Sequence, residues 1–197
     1  DYLAIITLAF GEIVKYIVQN IDFLGGATGL NNIPRIIDFS NSYFIVVISI
    51  VIIAMAMTSR KGKEILSIRE NEIAAENIGM RLNRIKLYGF AFSAFFAGVG
   101  GSLFAHNVGI LKPDKFGFLF SIEILVMVVL GGLGSITGAI LSAILLTSLN
   151  EVLRDVSQFR YLVYAIILIA LMIFRPTGIF GTKEFTFAGT KRRLNRI

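Results

Sequence analysis

The chain contains 197 residues, of which 55% are hydrophobic and 16% are charged, and its formal net charge is +6. A typical soluble domain carries roughly 25% charged residues, and a soluble fold of this size could not bury so much apolar surface. The composition therefore excludes a disordered chain, a coiled coil and a secreted disulfide scaffold. Because the chain has no Cys, a thiolate metal site and a cysteine nucleophile are excluded as well.

Long uncharged segments recur along the chain, as in 43–57 and 161–174. Such segments are typical of transmembrane helices. The sequence predicts an all-α, polytopic membrane protein with about six spans in this chain, at 2–18, 43–58, 87–105, 118–130, 136–149 and 160–174. Since the first residue is Asp1 and not Met, we expect earlier spans to precede this C-terminal segment.

Positive charge is concentrated in two hydrophilic segments. Segments 59–86 and 175–197 together hold thirteen of the nineteen Lys and Arg residues. The positive-inside rule places both segments in the cytoplasm and places 19–42 and 106–117 outside. Confinement of the charge to these segments argues against nucleic-acid binding. The basic tail, 182–197, either anchors the topology or contacts anionic head groups.

Segments 59–86 and 175–197 lie on the same side and must be separated by an even number of spans, yet three apolar blocks lie between them. One block must therefore cross twice or not at all, and the long block 118–149 is the one expected to cross twice. The sequence GGLGS at 131–135 is a strong turn signal in the middle of this block. We therefore predict a helical hairpin with arms of about 14 residues, each roughly 21 Å long. Small residues permit close helix packing there, namely Gly131, Gly132, Gly134 and Gly138.

The segment 67–79 is too polar to enter lipid. Ser67 followed by Glu70 has the spacing of a capping box, and Gly79 is placed to end the helix in a left-handed conformation. The sequence predicts one helix over 67–79, which is either a solvated connector or a docking helix for a cytoplasmic partner. Candidate contact residues for such a partner are Arg69, Glu70, Glu72, Ala74, Ala75, Glu76 and Gly79.

Three ionisable residues lie within the predicted spans. Glu12 and Lys15 are spaced to pair on one helical face, and Gly11 predicts a helix break of the kind found at transporter substrate sites. Gly11, Glu12 and Lys15 are therefore candidates for the substrate pathway; the alternative is a snorkelling Lys15 and a structural hydrogen bond of Glu12. Glu123 is expected at the membrane interface.

A ridge of small residues and a single histidine complete the candidates. Residues spaced by four share one face of the span 87–105 and predict close helix packing, within the chain or against another membrane subunit, or the lining of a pathway: Ser93, Ala97, Gly101 and Ala105. His106 has neither Cys nor a second His to form a metal site. No catalytic set, cofactor motif or P-loop is recognisable, so catalysis by this chain is not expected.

Four segments of the sequence resemble the high-affinity branched-chain amino acid ABC permeases, and most of all their LivM-type subunit. These are DYLAIITLAFGEIVK from residue 1, 67–79, SIEILVMVVLGGLGS from residue 121, and FRPTGIFG from residue 174. Ala74, Ala75 and Gly79 match the coupling motif of ABC-importer permeases, although Ile73 stands where that family has Glu. The resemblance covers about residues 1–181, interpreted as one membrane domain that contains the coupling loop 59–86.

This resemblance implies a permease subunit in the bacterial plasma membrane, with coupling through helix 67–79. Its implied partners are a LivH-like second permease, two cytoplasmic ABC ATPases and an extracytoplasmic substrate-binding protein. The alternatives are an ion-coupled secondary transporter with Glu12 at the ion site, a non-transporting membrane scaffold, and an ABC permease for urea or short-chain amides. Branched-chain amino acids are the substrates favoured by the resemblance.

Overall fold

The computed structural model of the chain describes residues 2–152 together with Ile166, Ile169 and Ile173. Within residues 2–152 the chain forms α-helices and short 3-10 turns and contains no β-strand, so the predicted all-α fold is confirmed there. The α-helices are α1 (Tyr2–Gln19), α2 (Phe39–Thr58), α3 (Arg60–Glu70), α4 (Glu72–Asn77), α5 (Leu82–Val108), α6 (Phe118–Gly131) and α7 (Ile136–Val152). The predicted tail 182–197, and the predicted span 160–174 apart from the three helical isoleucines, lie outside the described residues.

Two of the described helices, α2 and α5, are long and apolar enough to cross a membrane. They contain 20 and 27 residues, which corresponds to roughly 30 Å and 40 Å of helix against a hydrocarbon core of about 30 Å. Their apolar segments are not buried within the described chain, as expected for surfaces that face lipid or other membrane helices. The helix α1 coincides with the predicted span 2–18, and α6 and α7 are shorter apolar helices.

The described residues form two compact units, which are divided in the sequence between Lys115 and Phe116. The first unit contains α1 to α5, and the second contains α6 and α7. In the first unit α3 contacts both α2 and α5, and α4 contacts α3 and α5. The polar helices α3 and α4 therefore lie at the end of the unit where α2 ends and α5 begins.

The opposite end of the first unit is formed by the loops that follow α1 and α5. Leu30 and Leu111 exchange two backbone hydrogen bonds of 3.0 and 2.9 Å. The ring nitrogen Nδ1 of His106 lies 2.9 Å from the carbonyl oxygen of Pro34. These contacts hold the two loops together at this end of the unit.

The second unit is a hairpin whose turn lies at the predicted glycines. Helix α6 ends at Gly131 and α7 begins at Ile136. Gly132 and Gly134 have positive φ angles of 109° and 91°, which glycine adopts readily. The Ser135 amide donates to the Gly132 carbonyl at 3.1 Å and closes the turn. The predicted glycine-turn hairpin is confirmed.

Close backbone contact joins the two arms of the hairpin beside the turn. A Cβ atom added at Gly131 would lie 2.5 Å from the Gly138 carbonyl carbon, far inside van der Waals contact. Further along, the Ser142 hydroxyl donates to the Met127 carbonyl at 2.5 Å. Leu146 is fully buried at the centre of the small apolar core between the arms.

Candidate coupling site and polar groups of the membrane helices

The junction between α2 and α3 is a tight turn that fixes the polar helices to the end of a membrane span. Ser59 is the N-cap of α3, and its hydroxyl accepts a hydrogen bond from the Gly62 amide at 3.2 Å. Gly62 is buried, and a Cβ atom there would overlap the carbonyl oxygens of Ala56 and Met57. The position requires glycine because the backbone of α3 passes directly against the end of α2.

The single helix predicted over 67–79 is wrong in its start and in its continuity. Ser67 lies inside α3, where its hydroxyl donates to the Glu64 carbonyl at 2.8 Å. The helix ends at Glu70, and Asn71 then caps a separate helix α4 by accepting a hydrogen bond from the Ala74 amide at 2.9 Å. Ser67 is not the cap because α3 already begins eight residues earlier, at the Ser59 cap.

The predicted role of Gly79 at the end of the helix is confirmed. Gly79 has a φ angle of 85°, and its amide donates to the Glu76 carbonyl at 2.9 Å. The Met80 amide donates to the Ala75 carbonyl at 3.1 Å. These two bonds form a Schellman motif, which reverses the chain after α4 and leads it into α5.

The two predicted alanines have different environments. Ala75 is buried, with 2% of its surface exposed, whereas Ala74 is exposed. Ala74 is therefore accessible to a partner, and Ala75 packs within the first unit. Glu72 and Glu76 are also exposed.

One ion pair joins α4 to the membrane span α5, and a sulfur contact joins α3 to the turn after α4. Lys86 of α5 forms an ion pair with Glu72 of α4. The Ser67 hydroxyl of α3 lies 3.4 Å from the Met80 sulfur atom. The helix α4 is thus held to α5 by a charge pair and by the Schellman turn. Arg69 and Glu70, at the end of α3, pair with each other at 2.5 Å.

Three residues at this site were missed by sequence reasoning. Ile73 and Ile78 are each 73% exposed on or beside α4, although they are large and apolar. The sequence contained a signal for their exposure, because both isoleucines lie in a polar segment outside every predicted span. Lys86 was counted only as a topology charge, and its pairing with Glu72 depends on a contact between residues 14 apart.

A second group of candidates lies within α1. The Lys15 ammonium is 2.6 Å from the Glu12 carboxylate, and the two side chains are only 17% and 32% exposed. The predicted pairing is therefore confirmed. The predicted helix break at Gly11 is wrong: α1 continues without interruption from Tyr2 to Gln19. Glycine weakens a helix by only about 1 kcal/mol, and the apolar residues on both sides favour continuation.

The predicted ridge of small residues lies along α5. Ser93 and Ala97 are exposed, Gly101 and Ala105 are half-buried, and a Cβ atom added at Gly101 would meet no other atom within 4 Å. In contrast with Gly131 and Gly138 of the hairpin, this ridge contacts no other helix closely at Gly101 within the described residues.

The remaining polar candidates are satisfied by hydrogen bonds. Glu123 of α6 accepts a hydrogen bond from the Asn150 side chain of α7 at 2.5 Å, and this pair is partly buried. Both groups belong to the second unit and join its two arms. His106, as described above, contacts the Pro34 carbonyl in the first unit.

Apolar helices long enough to span a bilayer, a glycine-turn hairpin and a polar helix pair outside the spans are the features of an integral helical membrane protein. Residues 1–175 match the family described as branched-chain amino acid transport system, permease component. The chain belongs to this family. The predicted relationship to ABC permeases for branched-chain amino acids is thereby confirmed.

Several relatives with curated descriptions show the same relationship. The LivM permease protein of the Escherichia coli K12 high-affinity branched-chain amino acid transport system is 35% identical, over 91% of this chain and 50% of LivM. BraD of Pseudomonas aeruginosa, a permease protein of the corresponding system, is 30% identical, over 83% of this chain and 54% of BraD. Escherichia coli LivH is 30% identical over 64% of this chain and 41% of LivH.

The chain spans about half the length of the LivM and BraD relatives that it matches. Its match to LivM covers more of the chain, at higher identity, than its match to LivH. No solved structure matches the chain.

Proposed function

We propose that the chain is part of the membrane subunit of an ABC importer for branched-chain amino acids, and that α4 is the element on which a cytoplasmic ATPase acts. The observation that carries this proposal is the attachment of an exposed helix, α4, to the membrane helix α5 through Lys86 and Glu72. A short helix joined to a span by a tight turn and an ion pair can transmit movement, whereas a flexible connector cannot.

The exposed surface of α4 is suited to a protein partner. Ile73 and Ile78 offer apolar contact area, Ala74 permits close approach, and Glu76 provides a charge at the margin. Protein interfaces combine such an apolar centre with a polar rim. The acidic side chains would select a partner with basic residues at the docking position.

Movement of α4 would reach two membrane helices by separate routes. The Glu72–Lys86 pair and the turn at Gly79 lead to α5. Contacts between α4 and α3, followed by the tight junction at Gly62, lead to α2. ATP binding and hydrolysis on the partner would thereby change the arrangement of the spans and alternate the access to the pathway.

The charge distribution supports a position in the bacterial plasma membrane with the α3–α4 end in the cytoplasm. Loop 59–86 holds seven Lys and Arg residues, whereas the loops at the opposite end hold three. This orientation also exposes α4 to cytoplasmic ATPases and the paired outer loops to a substrate-binding protein. A LivH-like second permease would complete the pathway, and the open ridge at Gly101 is a candidate contact for it.

An amino acid substrate carries one positive and one negative group. The Glu12–Lys15 pair offers complementary charges within α1, largely shielded from solvent, and charged groups at membrane depth commonly serve a transport pathway. Glu12→Gln and Lys15→Met are expected to reduce uptake while the ATPase still co-purifies. Retained uptake in both variants would remove this pair from the pathway.

The ion-coupled alternative assigns Glu12 to a cation site and leaves α4 without a partner. Uptake assays in which ATP is supplied while the ion gradients are collapsed separate the two mechanisms. Continued uptake supports the importer, and loss of uptake at constant ATP supports ion coupling. Competition of labelled leucine by unlabelled leucine, urea and acetamide then identifies the substrate class.

The docking proposal is tested by co-purification of the full-length protein with its ATPase. Ala74→Glu places a charge on the exposed face of α4 and is expected to abolish recovery of the ATPase. Ala27→Glu, at an exposed position at the opposite end of the same unit, is the matched control and is expected to retain it. Equal recovery with both variants would refute docking on α4.

A further inference from the structure

Two cavities adjoin at the end of the first unit where α2, α3 and α5 meet. One has a volume of about 470 Å³ and is walled mainly by Ala56, Met57, Ile65 and Phe92. These side chains are apolar, so the cavity suits a hydrocarbon chain and not a polar solute. It opens beside the last turn of α2 and the second and third turns of α5.

The second cavity has a volume of about 380 Å³ and a different lining. Arg81, Arg84 and Lys61 contribute positive charge, and Glu64 contributes the one negative charge. Lys61 and Tyr88 belong to the walls of both cavities. A single molecule with an apolar part and an anionic part could therefore occupy both.

The positive charge of the second cavity is only partly neutralised by the protein. Lys61 is paired with Glu64 at 2.7 Å. Within the described chain Arg81 and Arg84 form no ion pair, whereas the neighbouring Arg69 and Lys86 each have an acidic partner. Arg guanidinium groups bind phosphate through two parallel hydrogen bonds, which makes this pair a suitable phosphate site.

The position of the cavities corresponds to a membrane surface. The apolar cavity lies against the ends of two helices long enough to span the bilayer. The charged cavity lies on the polar side, toward α4. Tyr88, which is shared by both, is a residue type enriched at membrane–water interfaces. The lining therefore changes from apolar residues, through Tyr88, to cationic residues. This order suits the acyl chain, the interfacial region and the phosphate group of a phospholipid.

We propose that this composite site, formed by Ile65, Phe92, Lys61, Arg81 and Arg84, binds an anionic phospholipid. One acyl chain occupies the apolar cavity, and the phosphate group contacts Arg81 and Arg84. Basic pockets at the ends of membrane helices bind anionic head groups by this combination of contacts. The site depends on the membrane position of the chain and goes beyond the proposed transport function.

The test uses the full-length protein purified with its partner subunits and reconstituted in nanodiscs that contain phosphatidylglycerol and phosphatidylcholine in equal amounts. Lipids that remain bound after mild extraction are counted by native mass spectrometry. The Arg81→Gln/Arg84→Gln variant removes the two unpaired charges. The Lys112→Gln/Lys115→Gln variant removes two charges from the loop at the opposite end and is the matched control. Ala56→Phe fills the apolar cavity and leaves the arginines in place.

We expect the wild type and the loop control to retain phosphatidylglycerol in preference to phosphatidylcholine. Loss of Arg81 and Arg84 is expected to lower this preference by roughly thirtyfold, since each of the two basic residues near a lipid surface contributes on the order of 1 kcal/mol. Ala56→Phe is expected to lower retention of the lipid as well. If the arginine variant and Ala56→Phe both keep the wild-type preference, the proposal is overturned. The same result is expected if another protein segment fills the cavity, so that outcome also counts against the proposal.

A soluble anion is distinguished from a lipid in a second arm of the experiment. Thermal stability of the detergent-purified protein is measured with added phosphatidylglycerol or with glycerol 3-phosphate. The proposal requires stabilisation by the lipid that exceeds stabilisation by the soluble phosphate. Equal stabilisation by both would identify a free-anion site and contradict the assignment of the apolar cavity.

Discussion

Lys86 in the membrane helix α5 forms an ion pair with Glu72 in the polar helix α4, across 14 residues of sequence. Both side chains are about half exposed, at 43% and 51%. Exposed ion pairs contribute only about 0–1 kcal/mol to stability. The pair therefore adds little to stability, and its proposed role is to favour one orientation of α4 relative to α5, which the turn at Gly79 already joins covalently.

The first prediction concerns this ion pair. Lys86→Gln should reduce ATP-dependent uptake severalfold, because movement of α4 would no longer be transmitted fully to α5. The protein should melt within a few degrees of the wild type, since the pair is exposed and contributes at most about 1 kcal/mol. Uptake by reconstituted vesicles and thermal denaturation measure the two effects separately.

The charge reversal Glu72→Lys/Lys86→Glu supplies the control for this prediction. If the pair acts by its attraction, the double variant should recover part of the activity that either single reversal loses. If the uptake lost by the double variant equals the sum of the losses of the two single reversals, the residues act independently.

The second prediction distinguishes the observed cap of α4 from the predicted one. Asn71→Ala should destabilise α4 by about 1 kcal/mol, which is typical of the loss of an N-cap. Asn71→Asp retains the capping oxygen and should restore the wild-type level. Hydrogen exchange of the Ala74 amide reports the opening of this helix turn directly.

Ser67→Ala is the comparison for Asn71→Ala. Ser67 lies inside α3, so its replacement should leave exchange of the Ala74 amide unchanged. Faster exchange in Ser67→Ala than in Asn71→Ala would support the helix start at Ser67 and contradict the structure.

The third prediction concerns Gly79. A residue with a side chain in the left-handed conformation is disfavoured by roughly 1–2 kcal/mol, so Gly79→Val should disturb the turn between α4 and α5 and reduce recovery of the ATPase. Gly79→Asn should be milder, because Asn tolerates positive φ angles. Asn77→Ala, within helical backbone nearby, is the control and should co-purify normally. Equal behaviour of the Val and Asn variants would exclude backbone conformation as the cause.

The fourth prediction concerns the hairpin. Gly138→Ala should lower the thermal stability of the protein, because the added methyl group overlaps the Gly131 carbonyl and overpacking typically costs about 1–3 kcal/mol. Gly100→Ala is the matched control, since a Cβ atom there meets no atom within 4 Å. Equal melting temperatures for the two variants would mean that the arms of the hairpin are further apart than described.

Local sequence signals predicted the hairpin well. Three glycines within 131–134 interrupt an apolar block, and the turn they form depends on neighbouring residues alone. Gly79 was predictable for the same reason, because its positive φ angle is required by the helix end immediately before it.

The start of α4 could not be predicted in the same way. Ser67 and Asn71 both have side chains that can cap a helix, and the sequence alone does not rank them. The choice is decided earlier in the chain, where Ser59 caps α3 and Gly62 permits the close turn after α2. Once α3 has begun at Arg60, Ser67 falls within it.

Contacts between distant residues were also beyond sequence reasoning. Leu30 and Leu111 are 81 residues apart, and their backbone pairing is not encoded in any local pattern. Charge counting placed both of their loops outside the membrane and predicted no contact between them. At Gly11 the local signal was misleading, because the glycine is accommodated within a continuous α1.

The most direct test of coupling through α4 is a distance-limited crosslink to the ATPase in the intact transporter. The described chain contains no native Cys, so Ala74→Cys introduces a single reactive site in it, and any Cys elsewhere in the full-length protein is first replaced. The coupling proposal predicts that a short bifunctional reagent joins Ala74→Cys to the ATPase, and that Ala27→Cys gives no such product. Absence of the Ala74→Cys crosslink in a complex that still transports substrate would contradict it.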